Sequence, residues 1–282
     1  MKIAISSDSS LDLTPELIQK YDIHVVPFSI VMGENAYLDG EVTSKDIFAY
    51  TAKTGKLART SAVNEAQSEA HFASLLKDYD AVIHFTISSD MSASYQNAVL
   101  AAKKFANVYV VDSRTLSTGV ALQAIYAKKL ADKGLIPEEI VARVKERIPY
   151  DQASFAIEAV NYLYKGGRCS GLAALGANLL HIRPQIIVKN GKMGPGKKFR
   201  GPMIRWVKDY VEETLREYPN PDHSIVFITY SSATDEAVAW CKERLAQAGF
   251  KEIYNTNAGG TVSCHCGPGT LGVLYFNDGD HE

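Results

Sequence analysis

Apolar and polar positions along the first half of the chain alternate between strand-like runs and helix-like periods. Residues 2–6 form a short apolar run that predicts a buried strand. Thr14-Pro15-Glu16 follows as a helix start, with Thr as N-cap and Pro at the first helical position. Residues 24–32 are a second apolar run, in which Pro27 predicts a sheet edge or a bulge. Thr43-Ser44-Lys45-Asp46 has the form of a capping box with Asp in place of Glu, and predicts a helix to Thr54 stopped by Gly55. Residues 56–63 read as polar and irregular, and Asn64 caps a helix running to Lys77. A continuous apolar strand over 81–87 leads into the serine-rich segment Ser88-Ser89-Asp90-Met91-Ser92. Then come a helix to about Phe105, a strand over 108–111 and a helix from about Leu116 to Lys133.

Strand, polar loop, helix and strand in that order predict right-handed βαβ units in a parallel sheet. Ligands of such sheets sit at the carboxyl ends of strands, where the serine loop falls. The second half has a different order. A helix over 137–148 precedes a strand over 154–158, a basic turn over 162–170 and an Ala- and Leu-rich helix over 171–180. Asn190-Gly191 predicts a type I′ hairpin between residues 185–189 and 192–193. Helices over 202–218 and 233–248 flank a strand over 224–229, and glycine-rich turns lead to a last strand over 271–276. The expectation is an α/β protein of two domains. Residues 1–150 would form a mostly parallel sheet flanked by helices, and residues 151–282 a mixed α/β domain.

Composition narrows the function classes. The chain has 282 residues, 46% hydrophobic and 22% charged, as in ordinary globular proteins. With 30 basic against 32 acidic residues, the net charge of −2 argues against bulk nucleic-acid or anionic-membrane binding. No apolar run approaches the roughly 18 residues of a membrane helix. The N-terminal stretch lacks the apolar core of a signal peptide, and Cys169, Cys241, Cys264 and Cys266 do not form a disulfide-framework pattern. A reducing cytoplasm is expected.

Candidate chemistry is sparse. Residues 191–198 nearly match a phosphate loop, but Lys198 stands where a hydroxyl is required and the context is a hairpin arm. Cys264-His265-Cys266 puts three ligand types in a row, although an extended chain would point neighbours to opposite faces. No nucleophile elbow is present. Two hydroxyl segments remain, Thr60-Ser61 and the serine loop. Hydroxyls beside free N–H groups at helix starts can cradle an anionic oxygen, and they can equally serve as helix caps. His265, among glycines, is either a further donor or a packing residue. Lys165-Gly166-Gly167-Arg168 joins a tight turn to two cations, which suit an anion or a helix C-terminus.

In order along the chain, these segments resemble the DegV family, whose members bind fatty acids. Ser7-Asp8-Ser9-Ser10-Leu11-Asp12-Leu13 is similar to the family's D-S-x-x-D-L, and Val26-Pro27-Phe28 to its V-P-L. Thr60-Ser61, Val111-Asp112-Ser113 and Lys165-Gly166-Gly167-Arg168 match T-S, V-D-S and K-G-G-R. Residues 88–95 resemble S-S-G-L-S-G-T-Y, and residues 264–272 resemble x-H-x-G-P-G-A-L-G. The resemblance implies a two-domain DegV-like (EDD) fold with a lipid tunnel, no catalysis and no cofactor or metal. It implies a carrier that presents a long-chain fatty acid to a fatty-acid kinase, with at most transient membrane contact and no nucleic-acid partner. Thr60, Ser61, Ser92 and His265 would hold the carboxylate. Arg168 and, more weakly, Arg200 would face the head group or the kinase. Among the aliphatic side chains, Leu172, Leu175, Leu179, Leu180 and Ile182 read as tunnel walls or, more simply, as ordinary core. The alternative is a substrate-binding subunit of the dihydroxyacetone-kinase type, which would attach a ketone to His265 or His181. Two departures bear on the site: Ala62-Val63 replaces the usual Q-P, and Asp90 replaces a glycine, putting a negative charge near the expected anion.

Overall fold

The computed structural model describes residues 1–169 and 182–281. The helix expected over 171–180, with Leu172, Leu175, Leu179, Leu180 and His181, lies outside the described residues. In chain order the first half comprises β1 (Ile3–Asp8), α1 (Pro15–Lys20), β2 (Ile23–Val26), β3 (Ser29–Met32), β4 (Asn35–Leu38) and α2 (Ser44–Thr54). It continues with β5 (Arg59–Ser61), α3 (Glu65–Leu75), β6 (Ala81–Thr86), α4 (Ser94–Ala102), β7 (Val108–Asp112) and α5 (Thr118–Asp132). Helix starts follow local chemistry. Thr43 and Asp46 form a reciprocal capping box at α2, Asn64 and Gln67 another at α3, and Gly55 ends α2 at φ +69°.

β2, β1, β6 and β7 form a four-stranded parallel sheet in that order. The single run expected over 24–32 is instead two strands in two sheets. Pro27 cannot donate to the ladder with β1, so pairing ends at Asp8 and Val26. The chain then turns into β3, the centre of a separate antiparallel sheet ordered β4-β3-β5. The stretch 56–63, expected to be irregular, supplies β5 through the pairs Ile30–Thr60 and Ser29–Ser61.

The second half comprises α6 (Pro137–Arg147), β8 (Asp151–Ala156), α7 (Val160–Gly166), β9 (Ile182–Lys189), β10 (Lys192–Arg200) and α8 (Met203–Glu217). After these come β11 (Ile225–Tyr230), α9 (Asp235–Gln247), β12 (Glu252–Asn257), α10 (Gly260–Cys266) and β13 (Leu271–Phe276). The strands form a mixed six-stranded sheet, β10-β9-β8-β13-β11-β12, in which β11 and β12 run parallel. Two stretches here differ from expectation. The basic turn over 162–170 is largely the helix α7, and the glycine-rich stretch before β13 holds both a strand and α10. The phosphate-loop look-alike is β10 itself.

α5 unites the two sheets. It packs on β1 and β6 of the parallel sheet and on β8, β11 and β13 of the mixed one. Its buried positions run almost all the way round the helix, as expected of a helix enclosed by protein. The largest apolar cluster accordingly runs from Ile3 and Ile83 through Val120 and Ala124 to Phe155 and Phe276. A second contact locks the β9–β10 turn onto the serine loop. Ser88 Oγ donates to the Gly191 carbonyl at 2.7 Å, and the Arg114 guanidinium donates to the Asn190 carbonyl. Asn190 and Gly191 both take positive φ, 52° and 81°, as the I′ turn requires. A methyl at Gly191 would lie 2.5 Å from the Arg114 guanidinium carbon. Gly191→Ala is therefore expected to cost about 1–2 kcal/mol, from φ strain and a displaced Arg114. Denaturant unfolding checks this; an unchanged midpoint would show that the turn is not under that constraint.

Candidate functional site

Thr60 sits on β5 between exposed Arg59 and exposed Ser61, so strand alternation turns its side chain inward with Ala62 and turns Ser61 away. α10 supplies the partner from 205 residues further along. His265 Nε2 and Thr60 Oγ1 are 2.8 Å apart. The segment 264–266, treated above as extended, is helical. Its three side chains therefore fan out rather than alternate. Cys264 packs with Ile30 and Ile47, Cys266 joins the large core, and His265 turns to Thr60. Among the described residues no group of three or more His, Cys, Asp or Glu side chains could hold a metal ion.

The His265 ring is closely enclosed. A Cβ on Gly166, in the last turn of α7, would lie 2.8 Å from Nδ1. The next residue, Gly167, ends that helix at φ +70°. The two glycines of the K-G-G-R segment thus serve a ring contact and a helix stop. Nδ1 is buried without a hydrogen-bond partner. Burial lowers the imidazole pKa from 6.5 to about 4, with the Arg168 charge acting in the same direction, so the ring is neutral at pH 7.

The serine loop divides its labour. Ser89 is tied to Asp112, with Ser89 Oγ donating to Oδ2 at 2.5 Å, while Ser88 holds the hairpin. Ser92 Oγ accepts from Ser94 N at 3.2 Å, inside the first turn of α4, whose N-cap Ala93 has no side-chain bond of its own. Ser92 is therefore both a local cap and a wall of the cavity described next. The Asp90 carboxylate is directed away to Arg114 at 2.6 Å and Lys192 at 3.7 Å, so its charge is compensated outside the site. Val63, at the second departure from the Q-P pattern, is buried, and its carbonyl accepts from Asn97 Nδ2 at 2.8 Å.

Thr60, Ser92 and His265 line one cavity of about 210 Å³ whose other walls are mostly apolar, among them Phe28, Ile87, Met91, Leu163 and Met193. A smaller, almost wholly apolar hollow of about 30 Å³ shares the walls Leu116, Phe155, Val262 and Cys266 and reaches Gly272 and Leu274 of the mixed sheet. On the other side, Thr60, His265 and Arg168 also line an open groove of about 800 Å³. Lys56, Arg59, Lys165 and Arg168 face this groove, against one acid, Glu34, among the described residues. Arg168 Nη1 donates to the Gly166 carbonyl at 2.6 Å, which holds the guanidinium at the mouth. Ser61 and Arg200 are exposed and line neither space, and Ile182 is not a wall of the cavity.

One residue escaped sequence reasoning. Thr261 lines the same cavity, is buried, and has an unpartnered Oγ1. It precedes His265 by four residues and so shares its helix face. The only signal was that spacing, invisible while the stretch was taken for turns.

Comparison with known proteins places the chain. A family model described as "Uncharacterised protein, DegV family" matches residues 2–278. A DegV domain-containing protein of Caldanaerobacter subterraneus is 30% identical over 97% of this chain and 98% of its own. A solved fatty-acid-binding DegV family protein from Thermus thermophilus superposes with a TM-score of 0.91, at 25% identity, over 98% of this chain and 100% of that one. A solved stearic-acid-binding protein from Eubacterium ventriosum gives 0.84, at 25% identity, over 98% of both. The chain belongs to the DegV family.

The His265 environment is open to direct test. Its folded-state pKa lies below the ordinary 6.5, so the neutral ring contributes stability that is full above pH 6.5 and is lost as pH falls toward 4. A pH titration of the imidazole resonances, assigned with His265→Ala, is expected to show a midpoint near 4 in the ligand-free protein. A midpoint near 6.5 would show a solvated ring and contradict the enclosure described.

Proposed function

We propose that this protein binds a long-chain fatty acid. Its carboxylate meets Thr60, Ser92 and His265, with Thr261 as a further hydroxyl on the same helix face, and its tail lies in the apolar cavity. The observation that supports this reading best is the position of the Thr60–His265 pair, where an apolar cavity meets a basic open groove. Hydroxyl and neutral imidazole N–H groups can donate to a carboxylate without placing a second full charge in an apolar wall. Arg168 at the mouth adds positive potential from the solvent side. The solved proteins from Thermus thermophilus and Eubacterium ventriosum, described as binding fatty acid and stearic acid, support the same ligand class.

Energetics assign the roles. Burying about 16 methylenes is worth roughly 13 kcal/mol gross, at about 0.8 each. Immobilisation offsets much of that. Each hydrogen bond to the carboxylate contributes about 1.5–3 kcal/mol. The tail therefore supplies affinity and the polar groups supply orientation. The cavity of about 210 Å³ lies below the roughly 300–1,000 Å³ of typical ligand pockets, so a long tail also needs the hollow behind it. The hollow shares the wall at Val262 and Leu116 with the cavity, and the flexible side chains of Met91 and Met193 can adapt to a tail.

The carboxylate end would face the basic groove. That arrangement suits delivery to a fatty-acid kinase, whose phosphate-bearing nucleotide would be attracted to Lys56, Arg59, Lys165 and Arg168. On this reading the protein is a carrier, and the acyl phosphate forms at the kinase.

Mass spectrometry of the protein purified under native conditions is expected to find a co-purified fatty acid; a ketone adduct on His265 would instead support the dihydroxyacetone-kinase-type subunit. Ser92→Ala and His265→Ala are each expected to weaken fatty-acid binding about tenfold or more. They should also slow acyl-phosphate formation by a fatty-acid kinase supplied with the loaded protein. Undiminished affinity in both variants would remove these residues from the head-group site.

A further inference from the structure

Two motifs have no part in the site as described so far: the opening segment Ser7–Leu13 and the glycine pair before α10. The structure brings them together. Asp12 Oδ1 accepts from Gly259 N at 2.8 Å, and Asp12 Oδ2 accepts from Ser117 Oγ at 2.5 Å. Asp39 Oδ1 accepts from Gly260 N at 2.9 Å, and its Oδ2 accepts from Thr261 N at 3.3 Å and from Ser9 Oγ at 2.8 Å. These are N–H groups of the first turn of α10 and the residue before it, which have no partner inside a helix. Asp39 also places a carboxylate at the end of the helix dipole that favours negative charge.

The glycines make the approach possible. A Cβ on Gly259 would lie 3.0 Å from Asp12 Oδ1, and one on Gly260 only 2.3 Å from Ile30 Cδ1 and 3.0 Å from Asp39 Oδ1. Asp12 and Ser117 both hold left-handed φ, 53° and 55°, and their mutual hydrogen bond over-determines that strained pair. The same opening segment reaches the serine loop, because Asp8 Oδ2 accepts from Ile87 N at 3.0 Å. Both walls of the head-group site, the α10 wall with Thr261 and His265 and the loop with Ser92, thus hang from residues 8–12.

The geometry points to Asp12 and Asp39 as positioning residues for the head-group site, seating α10 so that Thr261 and His265 are already in place when a carboxylate arrives. They touch neither the cavity nor any ligand in it; they act through the helix. A short helix of 7 residues has little stability of its own, so its place is set by what grips its ends. At the N-terminal end that grip comes from these two side chains. Burial pushes the Asp8 and Asp12 carboxyls up to about 6 and about 8, so Asp12 is largely protonated at pH 7 and holds Gly259 N as a hydrogen-bond acceptor rather than as a charge. The role rests on the fatty-acid reading only for the identity of the ligand.

Asp39→Asn keeps the shape and removes the charge and one strong acceptor. In the ligand-free protein the His265 ring resonances are expected to shift and broaden, as the ring samples more than one position. Palmitate affinity is expected to fall about tenfold, the loss of roughly one charge-assisted hydrogen bond. Affinity for 1-hexadecanol, which uses the same tail and lacks the carboxylate, is expected to stay within about twofold. Unchanged His265 resonances would overturn the proposal, as would an equal loss for acid and alcohol. If Asp39→Asn does not fold, Ser9→Ala removes one Asp39 partner and should produce the same pattern at smaller amplitude; a flat response there counts against the proposal equally. A wild-type protein that binds no palmitate would sink the fatty-acid reading and leave the resonance test standing.

Discussion

A charged carboxylate cannot be moved into an apolar interior unless donors wait for it there. On the proposed reading, this protein meets that constraint with hydroxyls and a neutral imidazole inside and a cation at the mouth. Thr60 and His265 come from elements 205 residues apart, a short edge strand and a short helix, and they meet at 2.8 Å where an apolar cavity opens into a basic groove. Neither element is stable alone. β5 exists because β3 pairs with it, and β3 exists as a separate strand because Pro27 takes the chain out of the parallel sheet. α10 is held at one end by the side chains of Asp12 and Asp39 and at the other by the tight contact of His265 with Gly166.

Charge is sorted in the same spirit. The acid within the serine loop, Asp90, is paired with Arg114, which also anchors the hairpin, and with Lys192 of the hairpin. Among the described residues, the cations lining the groove face one acid, Glu34. The interior side therefore offers hydroxyls and a neutral imidazole, and the solvent side offers positive potential. A ligand with one anionic end and one greasy end satisfies both. Because α5 packs on both sheets, the cavity wall and the core are one packing problem. Cys266 and Leu116 belong to the large apolar cluster and to the cavity lining alike.

Much of the scaffold was legible in the sequence, for local reasons. The capping box at Thr43, the cap at Asn64, the Asn190-Gly191 turn and the apolar run before the serine loop are set by chemistry within a few residues, and each stands as read. Long-range pairing was not legible. The edge strand β5 has no apolar alternation of its own, so Thr60 read as loop and Ser61 as its equal, whereas the pleat separates them. α10 has two glycines in its approach and small polar residues, poor helix formers that only the side chains of Asp12 and Asp39 and close packing stabilise. That hid the helical spacing of Thr261 and His265. Family resemblance supplied candidate residues at Thr60, Ser92 and His265, which the structure gathers around one cavity, and at Ser61 and Arg200, which it does not.

The central claim is that the Thr60–His265 pair receives the acidic end of a lipid. A crystal structure of the protein loaded with palmitate tests it most directly. The account predicts elongated density in the cavity, with a carboxylate oxygen within about 3 Å of Thr60 Oγ1 or of His265 Nε2 and the tail running past Phe155. A carboxylate lodged elsewhere, or a tail lying along the basic groove with the cavity empty, would contradict it.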